Sequence, residues 1–282
     1  MLKFSSPISF PMLTMTRKEA LESILALENS FEGSYYDQKL SDEESRKNIL
    51  DNIAKIYVHR SPSDQQKHQH HHLQYGLRLT TDGFILTSYR HISDVLDEWK
   101  KRMPRNFLGR FLYEWKFSNK DYIRLGNEYY PLDVTVCTAL PKYDIAILKA
   151  MIHEKAKPVK FKVKLKEPEI QDKVVILGET NQNGIVGYEG VVTQNKNVVV
   201  HIVDKSIEGV FTIDSKYHLD KGGEPVITPD GKFVGMGVGS NLRITGDHPN
   251  KETSAAKVKR IELCLRELTK KLYEEYHLHR DL

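Results

Sequence analysis

The stretch KHQHHH, residues 67–72, gathers side chains of a type that can bind a metal ion. Its imidazoles suit Zn²⁺ or Ni²⁺. They belong to four histidines: His68, His70, His71 and His72. No cysteine or carboxylate stands beside them at a regular ligand spacing, and the preceding Pro-Ser-Asp at 62–64 is typical of a loop. We therefore predict a polar loop here, with neither a metal site nor a cofactor.

A second chemically suggestive stretch is HLDKGGEPVITPDGKFVGMGVG, residues 218–239. Two glycines lead into Glu224 and Pro225, and an apolar run follows. Pro-Asp-Gly at 229–231 predicts a turn, and a second apolar run then ends in glycines. The pattern predicts a strand, a turn and a strand that follow a loop built on glycine.

The elements that would position these stretches are mostly short strands. From Ile56 onward, β-branched and aromatic runs alternate with turn residues, while residues 93–117 are an exception with helix-like character. Many short strands without alternating helices favour sandwiches or barrels over a parallel sheet. The runs are IYVHR, QYGLRLT, FILTSY, DYIRLG, PLDVTVCTA, DIAILKA, VKFKVKL, KVVILGE, EGVVTQ, NVVVHIVD, GVFTID and PVITPDGKFVGMGVG.

Helices are predicted at both ends of the chain. One covers Thr16 to about Glu28, and another begins at Ser41, with Glu44 three residues on to form a capping box. A third runs from about Ser254 to His277. The second helix has an apolar face made of Ile49, Leu50, Ile53 and Ile56. The third has one made of Val258, Ile261, Leu265, Leu268 and Leu272, so both helices should dock on the strands.

Composition places the chain among globular proteins. Of its 282 residues, 39% are apolar and 28% charged, and the net charge of +4 is spread along the chain, so no nucleic-acid partner is indicated. No run approaches the roughly 18 apolar residues of a membrane span, so we expect no membrane association. Cys137 and Cys264 fit free thiols in a reducing compartment. We expect an intracellular, cytoplasmic location.

The motifs occur in the order found in trypsin-fold (chymotrypsin-like) serine peptidases of the HtrA/Deg type, which the chain resembles from about Ile56 to Leu272. The sequence GLRLTTDGFILTSYRHI, at 76–92, resembles the strand pair before the catalytic histidine, and DIAILK, at 144–149, resembles the segment with the catalytic aspartate. The stretch from Leu177, LGETNQNGIVGYEGVV, resembles a hairpin of the second barrel. Asp214 precedes Gly222 by eight positions, as the family's Thr-Asp precedes its nucleophile.

The resemblance implies a mainly β fold with two antiparallel six-stranded β-barrels, an N-terminal helical extension and a C-terminal helix. We expect the helical extension over residues 1–55 and the first barrel over 56–155. The second barrel is then expected over 156–250 and the C-terminal helix over 251–282.

The resemblance also implies where a catalytic triad would lie, and the triad is degenerate. Asp144 matches the acid. Counting four residues from Leu86 puts Arg90 at the base position, and His91 fits only if the chain bulges by one residue. Gly222 stands at the nucleophile, where no acyl-enzyme can form. Arginine stays protonated at neutral pH and cannot act as a base.

The residues around Gly222 depart from the family as well. Asp220 and Lys221 replace Gly-Asn, and Glu224 replaces a glycine beside the former oxyanion hole. The family's peptide groove lies between the barrels, and its edge corresponds to residues 237–241. The groove residues that the resemblance implies here are Asp220, Lys221, Gly223, Gly237, Val238 and Gly239.

Three functions follow from these residues. The first is a catalytically inactive scaffold that binds a protein or peptide, since backbone pairing needs no nucleophile. The second is an active serine hydrolase in which Ser215 or Ser240 works with His91 and Asp144. The third is an assembly subunit whose helices carry the contacts, with homo-oligomers formed through the N-terminal helices. We expect the first, with no peptidase turnover.

Overall fold

A computed structural model describes most of the strand-forming part of the chain. The described residues are Glu22, Leu25 and the ranges 41–57, 72–80, 83–90, 92–93, 122–125, 128–150, 164–179, 185–196, 198–202, 205–216, 222–245 and 248–278. Four predicted segments lie partly or wholly outside these residues. They are most of the first predicted helix, the histidine-rich loop before His72, the helix-like stretch 94–117 and the expected junction between the barrels at 154–160. Glu22 and Leu25 are both helical.

The first barrel is a closed sheet of six antiparallel strands in the order β1-β2-β3-β6-β5-β4. Its third and sixth strands are buried along their whole length, including the polar residues Thr87 and Ser88 in β3 and Lys149 in β6. The strands are β1 (Ile53–Tyr57), β2 (His72–Arg78), β3 (Phe84–Ser88), β4 (Tyr122–Leu125), β5 (Glu128–Leu140) and β6 (Ile145–Ala150).

The second barrel closes six further strands in the order β11-β14-β13-β12-β7-β8, again antiparallel. Two short strands, β9 (Val199–Ile202) and β10 (Lys205–Glu208), pair with each other outside it. The barrel strands are β7 (Lys173–Glu179), β8 (Ile185–Gln194), β11 (Val210–Ser215), β12 (Pro225–Ile227), β13 (Phe233–Thr245) and β14 (His248–Lys257). The predicted fold class, two six-stranded barrels, is confirmed.

Helix α1 (Asp42–Asp51) begins with the predicted capping box. The main-chain N–H of Glu44 donates to Ser41 Oγ at 3.2 Å, and the Glu44 carboxylate accepts from the Ser41 N–H at 3.0 Å. The prediction that Ile53 and Ile56 continue its apolar face is wrong. Both lie in β1, where pairing with β2 and β4 overrides the helical spacing of these isoleucines.

Helix α1 docks on the second barrel although it leads into the first. Its Ser45 hydroxyl donates to the main-chain oxygen of Gly231 at 2.6 Å and accepts from the N–H of Lys164 at 3.1 Å. Arg46 donates to the carbonyl of Pro229. These contacts fasten the helix to the turn between β12 and β13, so this part of the N-terminal extension packs on its own chain.

Helix α2 (Val258–Leu278) packs against both barrels. Val258, Ile261, Leu265 and Leu268 are fully buried, as their spacing predicts, and they join one hydrophobic core that contains residues of β2, β3, β6 and β13. The helix starts later than predicted, because residues 253–256 pair with β11 and 251–257 pair with β13 as part of β14. Residues 251–257, which we assigned to the helical segment, therefore belong to the second barrel.

Candidate functional site between the barrels

Asp144 lies at the start of β6, directly after a single 3-10 turn, Pro141–Tyr143. Its backbone is left-handed (φ 54°), a conformation that aspartate tolerates better than most residues. The side chain is almost fully buried, at 3% exposure. Its Oδ1 accepts from the main-chain N–H of Arg90 at 2.7 Å, and its Oδ2 accepts from Ser88 Oγ at 2.6 Å. The carboxyl group is therefore held against the end of β3.

The 3-10 turn before Asp144 contacts α2 and the two-stranded sheet of β9 and β10. The guanidinium of Arg260 lies 4.7 Å from the centre of the Tyr143 ring. Lys142 forms a 2.8 Å ion pair with Glu208 in β10. Exposed pairs of this kind contribute little to stability, so we infer that they mainly orient the turn that carries Asp144.

Arg90 lies two residues after the end of β3 and contacts Asp144 through its main-chain N–H. Its side chain crosses to the second barrel, where Nη2 donates to the carbonyl of Val238 at 2.8 Å. Burial lowers the pKa of Arg90, and the carboxyl groups of Asp144 and Glu224 oppose that shift. The guanidinium therefore lies near both acidic side chains, and it has no lone pair with which to accept a proton.

The glycine loop joins the two barrels through its main chain. The N–H of Tyr75 in β2 donates to the Gly222 carbonyl at 3.1 Å, and the N–H of Gly223 donates to the Gly237 carbonyl in β13 at 2.8 Å. Gly237 in turn donates to the carbonyl of Glu224 at 2.7 Å. Residues 222–224 thus lie between β2 and β13, and Glu224 is completely buried.

Both loop glycines have backbones that other residues rarely adopt. Gly222 has φ 72° and Gly223 has φ 80°. A Cβ at position 223 would overlap the carbonyl oxygen of Tyr75 and lie 2.9 Å from Thr87 Oγ1. At position 222, an L-residue such as serine would carry a strain of about 1–2 kcal/mol. The backbone at position 222 therefore favours glycine over serine.

Val238 lies at an irregularity of β13. Gly237 pairs with Ala255 and Gly239 with Ser254, so Val238 is the extra residue of a β-bulge opposite β14. A bulge leaves its extra residue outside the ladder and can redirect its polar groups. Here the Val238 carbonyl accepts from Arg90, which belongs to the other barrel.

The two serines proposed as substitute nucleophiles, Ser215 and Ser240, lie in strands of the second barrel. The Ser215 hydroxyl donates to the carbonyl of Glu189 in β8 at 2.9 Å, and its own strand pairs with β8 at Gly190. This contact belongs to the wall of the second barrel. Ser240 pairs with Thr253 between β13 and β14, and its side chain is not among those that the structure describes.

Some of the other predicted site residues lie in the described part of the chain, and the rest do not. Gly223 and Gly237 are hydrogen-bonded to each other, Gly222 precedes Gly223 in the loop, and Val238 and Gly239 follow in β13. Asp144 is linked to Val238 through Arg90. His91, Asp220 and Lys221 lie outside the described residues, as do His68, His70 and His71. His72 lies in β2, where its backbone pairs with Tyr57.

Sequence reasoning missed Ser88, whose hydroxyl binds the Asp144 carboxyl group directly. A serine two residues before Arg90 carries no spacing signal of its own. Only the alignment of β3 with β6, which places Ser88 opposite Ile145, brings it to the aspartate.

Within the described part of the chain, no group of three or more histidine, cysteine, aspartate or glutamate side chains is placed to hold a metal ion. The same residues contain no helix long and apolar enough to cross a membrane.

No protein-family model matches the sequence, and no curated protein matches it either. Solved structures do match. The protease domain of MamO from Magnetospirillum magneticum superposes with a TM-score of 0.52 at 13% identity, over 76% of this chain and 95% of that one. The Rv3671c protease of M. tuberculosis, in its active form, gives a TM-score of 0.54 at 15% identity, over 82% and 87%.

The chain has the trypsin-like serine protease fold. Both of these similar structures are trypsin-like serine protease domains, and the two closed barrels with a terminal helix are what that fold requires. The resemblance inferred from the ordered sequence motifs is therefore confirmed at the level of fold. At this level of identity the likeness describes architecture, and the chemistry must be argued from the residues of this chain.

Proposed function

We propose that this trypsin-fold protein is a catalytically inactive scaffold that binds extended polypeptide segments along the edge of β13. The observation that carries the proposal is Arg90. We assign Arg90 to the position where peptidase chemistry needs a neutral imidazole, because its main-chain N–H donates to Asp144 at 2.7 Å and its guanidinium lies near Glu224 of the loop that contains Gly222.

Loss of hydrolysis follows from these positions together. Gly222 offers no atom to attack a carbonyl carbon, and the Arg90 guanidinium cannot withdraw a proton from any nucleophile. Glu224 adds a buried carboxyl group to the loop whose N–H groups would otherwise stabilise an oxyanion. Replacing a single residue would leave the other two obstacles in place.

Binding of an extended segment is supported by the pairing of β13. One edge of this strand pairs with β14 along most of its length, from Gly235 to Thr245. Its other edge pairs with β12 only between Phe233 and Met236, and beyond Gly237 no described strand pairs with it. A strand edge without a pairing strand offers N–H and C=O groups to which an extended chain can add.

The test uses a permanently unfolded polypeptide, reduced and carboxymethylated α-lactalbumin labelled with fluorescein. We expect its fluorescence anisotropy to rise with added protein, while the labelled chain stays intact on a gel. Hydrogen exchange measured by mass spectrometry should slow within residues 237–245 of the bound protein.

The matched control is the native, calcium-loaded form of the same α-lactalbumin, whose segments are folded and should not bind. Absence of binding to the unfolded form would contradict the proposal. So would binding that protects α2 but leaves 237–245 unchanged, because the contacts would then lie on the helix.

A further inference from the structure

We propose that Arg90 is a latch that keeps the β13 edge closed until a ligand displaces it. This inference rests on the proposed function and concerns the regulation of the same edge. The juxtaposition that carries it is the 2.8 Å contact from Arg90 Nη2, on the first barrel, to the bulge carbonyl of Val238 on the second.

The Val238 carbonyl is the first acceptor on the β13 edge beyond the contacts of the glycine loop. Up to Gly237 the edge is engaged, since Gly237 exchanges hydrogen bonds with Gly223 and Glu224. The bulge then turns the next carbonyl towards Arg90. An added strand needs an acceptor at this point, so a ligand and the guanidinium compete for the same oxygen.

The latch is strong because its donor is charged and partly buried. Hydrogen bonds from an ionised donor are roughly twice as strong as neutral ones. The nearby carboxyl groups of Asp144 and Glu224 favour the guanidinium in this place. The apparent affinity for a ligand is reduced in proportion to the fraction of protein molecules whose binding edge is open.

Two residues must be replaced together if the Arg90 guanidinium is to be removed without leaving an additional unbalanced carboxyl group. Arg90→Ala alone would leave Asp144 and Glu224 without the neighbouring cation and could prevent folding. Arg90→Ala combined with Glu224→Gln removes one positive and one negative group. Glu224→Gln alone keeps the latch and is the matched control. Arg90→Gln with Glu224→Gln gives a second test with a bulkier side chain at position 90.

The latch can be observed in the free protein by NMR. The chain contains three Val–Gly pairs, at 186–187, 234–235 and 238–239. Labelling valine carbonyls with ¹³C and glycine nitrogens with ¹⁵N therefore gives three correlation signals. We expect the Val238 carbonyl signal to move between Glu224→Gln and Arg90→Ala/Glu224→Gln, while the other two stay in place. An unmoved Val238 signal would overturn the latch, whatever the protein binds.

The consequence for binding is measured with the fluorescein-labelled, carboxymethylated α-lactalbumin. Arg90→Ala/Glu224→Gln should bind it about tenfold more tightly than Glu224→Gln does, since a charge-assisted hydrogen bond no longer has to be displaced. Equal or weaker binding by the double variant, together with a moved Val238 signal, would overturn the gating role. Binding by none of the variants would overturn the proposed function, and gating with it, while the Val238 signal still reports whether the contact exists.

Discussion

Replacing Gly223 with alanine tests how tightly the glycine loop is held between the barrels. The new Cβ would overlap the Tyr75 carbonyl oxygen and lie 2.8 Å from the Tyr75 carbonyl carbon. Both atoms belong to the backbone of β2, and Thr87 Oγ1 donates to that same oxygen at 2.6 Å. The main chain must therefore move, because no flexible side chain can give way.

The cost has two parts. The left-handed backbone at position 223 strains an alanine by about 1–2 kcal/mol. Displacing the loop weakens the hydrogen bonds of Tyr75 to Gly222 and of Gly223 to Gly237, at about 0.5–1.5 kcal/mol each. We expect a total of about 2–5 kcal/mol, which lowers the melting temperature by roughly 4–10 °C for a chain of this size.

Thermal unfolding followed by circular dichroism measures this loss. Gly187→Ala is the matched control, because Gly187 is exposed in β8, does not have a left-handed backbone, and a Cβ there meets a side-chain atom of Val175 and no main-chain atom. That variant should lose less stability than Gly223→Ala. Equal melting temperatures for the two variants would refute the view that the main chain of residues 222–224 packs against β2 too closely for a Cβ.

Four further outcomes follow. Ser41→Ala should lose the cap of α1 and about 1 kcal/mol of stability in chemical denaturation, whereas Lys47→Ala on the exposed side of that helix should not. Burial raises the pKa of the Cys264 thiol to about 12, so iodoacetamide at pH 8 should leave it unlabelled in native protein and label it after denaturation, as peptide mass mapping would reveal. Deleting residues 1–40 should convert an oligomer to a monomer in light scattering if the N-terminal extension mediates assembly, and a monomer before and after would remove that role. Gly222→Ser should gain no acyl-enzyme burst, and a burst would show that the site lacks only its nucleophile.

The barrels were predictable because their signals are local and repeated. Each strand is a short apolar run bounded by turn residues, and the order of the motifs matches one architecture. The boundary between α1 and β1 was not predictable from spacing. Ile49, Ile53 and Ile56 fit a helical face, and only the pairing of β1 with β2 and β4 assigns the last two to a strand.

The site was predictable to the extent that its residues lie in motifs. Asp144 and the count from Leu86 to Arg90 could be obtained from the sequence, and in the structure the Arg90 main-chain N–H donates to Asp144. The contacts of Ser88 with Asp144 and of Arg90 with Val238 could not, because they join residues that are 56 and 148 positions apart in the chain. Glu224 was expected beside the former oxyanion hole, but its burial near Arg90 emerged only from the packed barrels.

The most direct test of the central claim, a trypsin-fold protein without peptidase chemistry, is the intact mass of the protein after incubation with a fluorophosphonate probe. Such probes add covalently to activated serine hydroxyls, and trypsin treated in parallel is the positive control. We predict an unchanged mass, because Gly222 has no hydroxyl and Arg90 cannot activate another one. A mass increased by one probe, mapped to Ser215, Ser240 or another serine and abolished by His91→Ala, would contradict it.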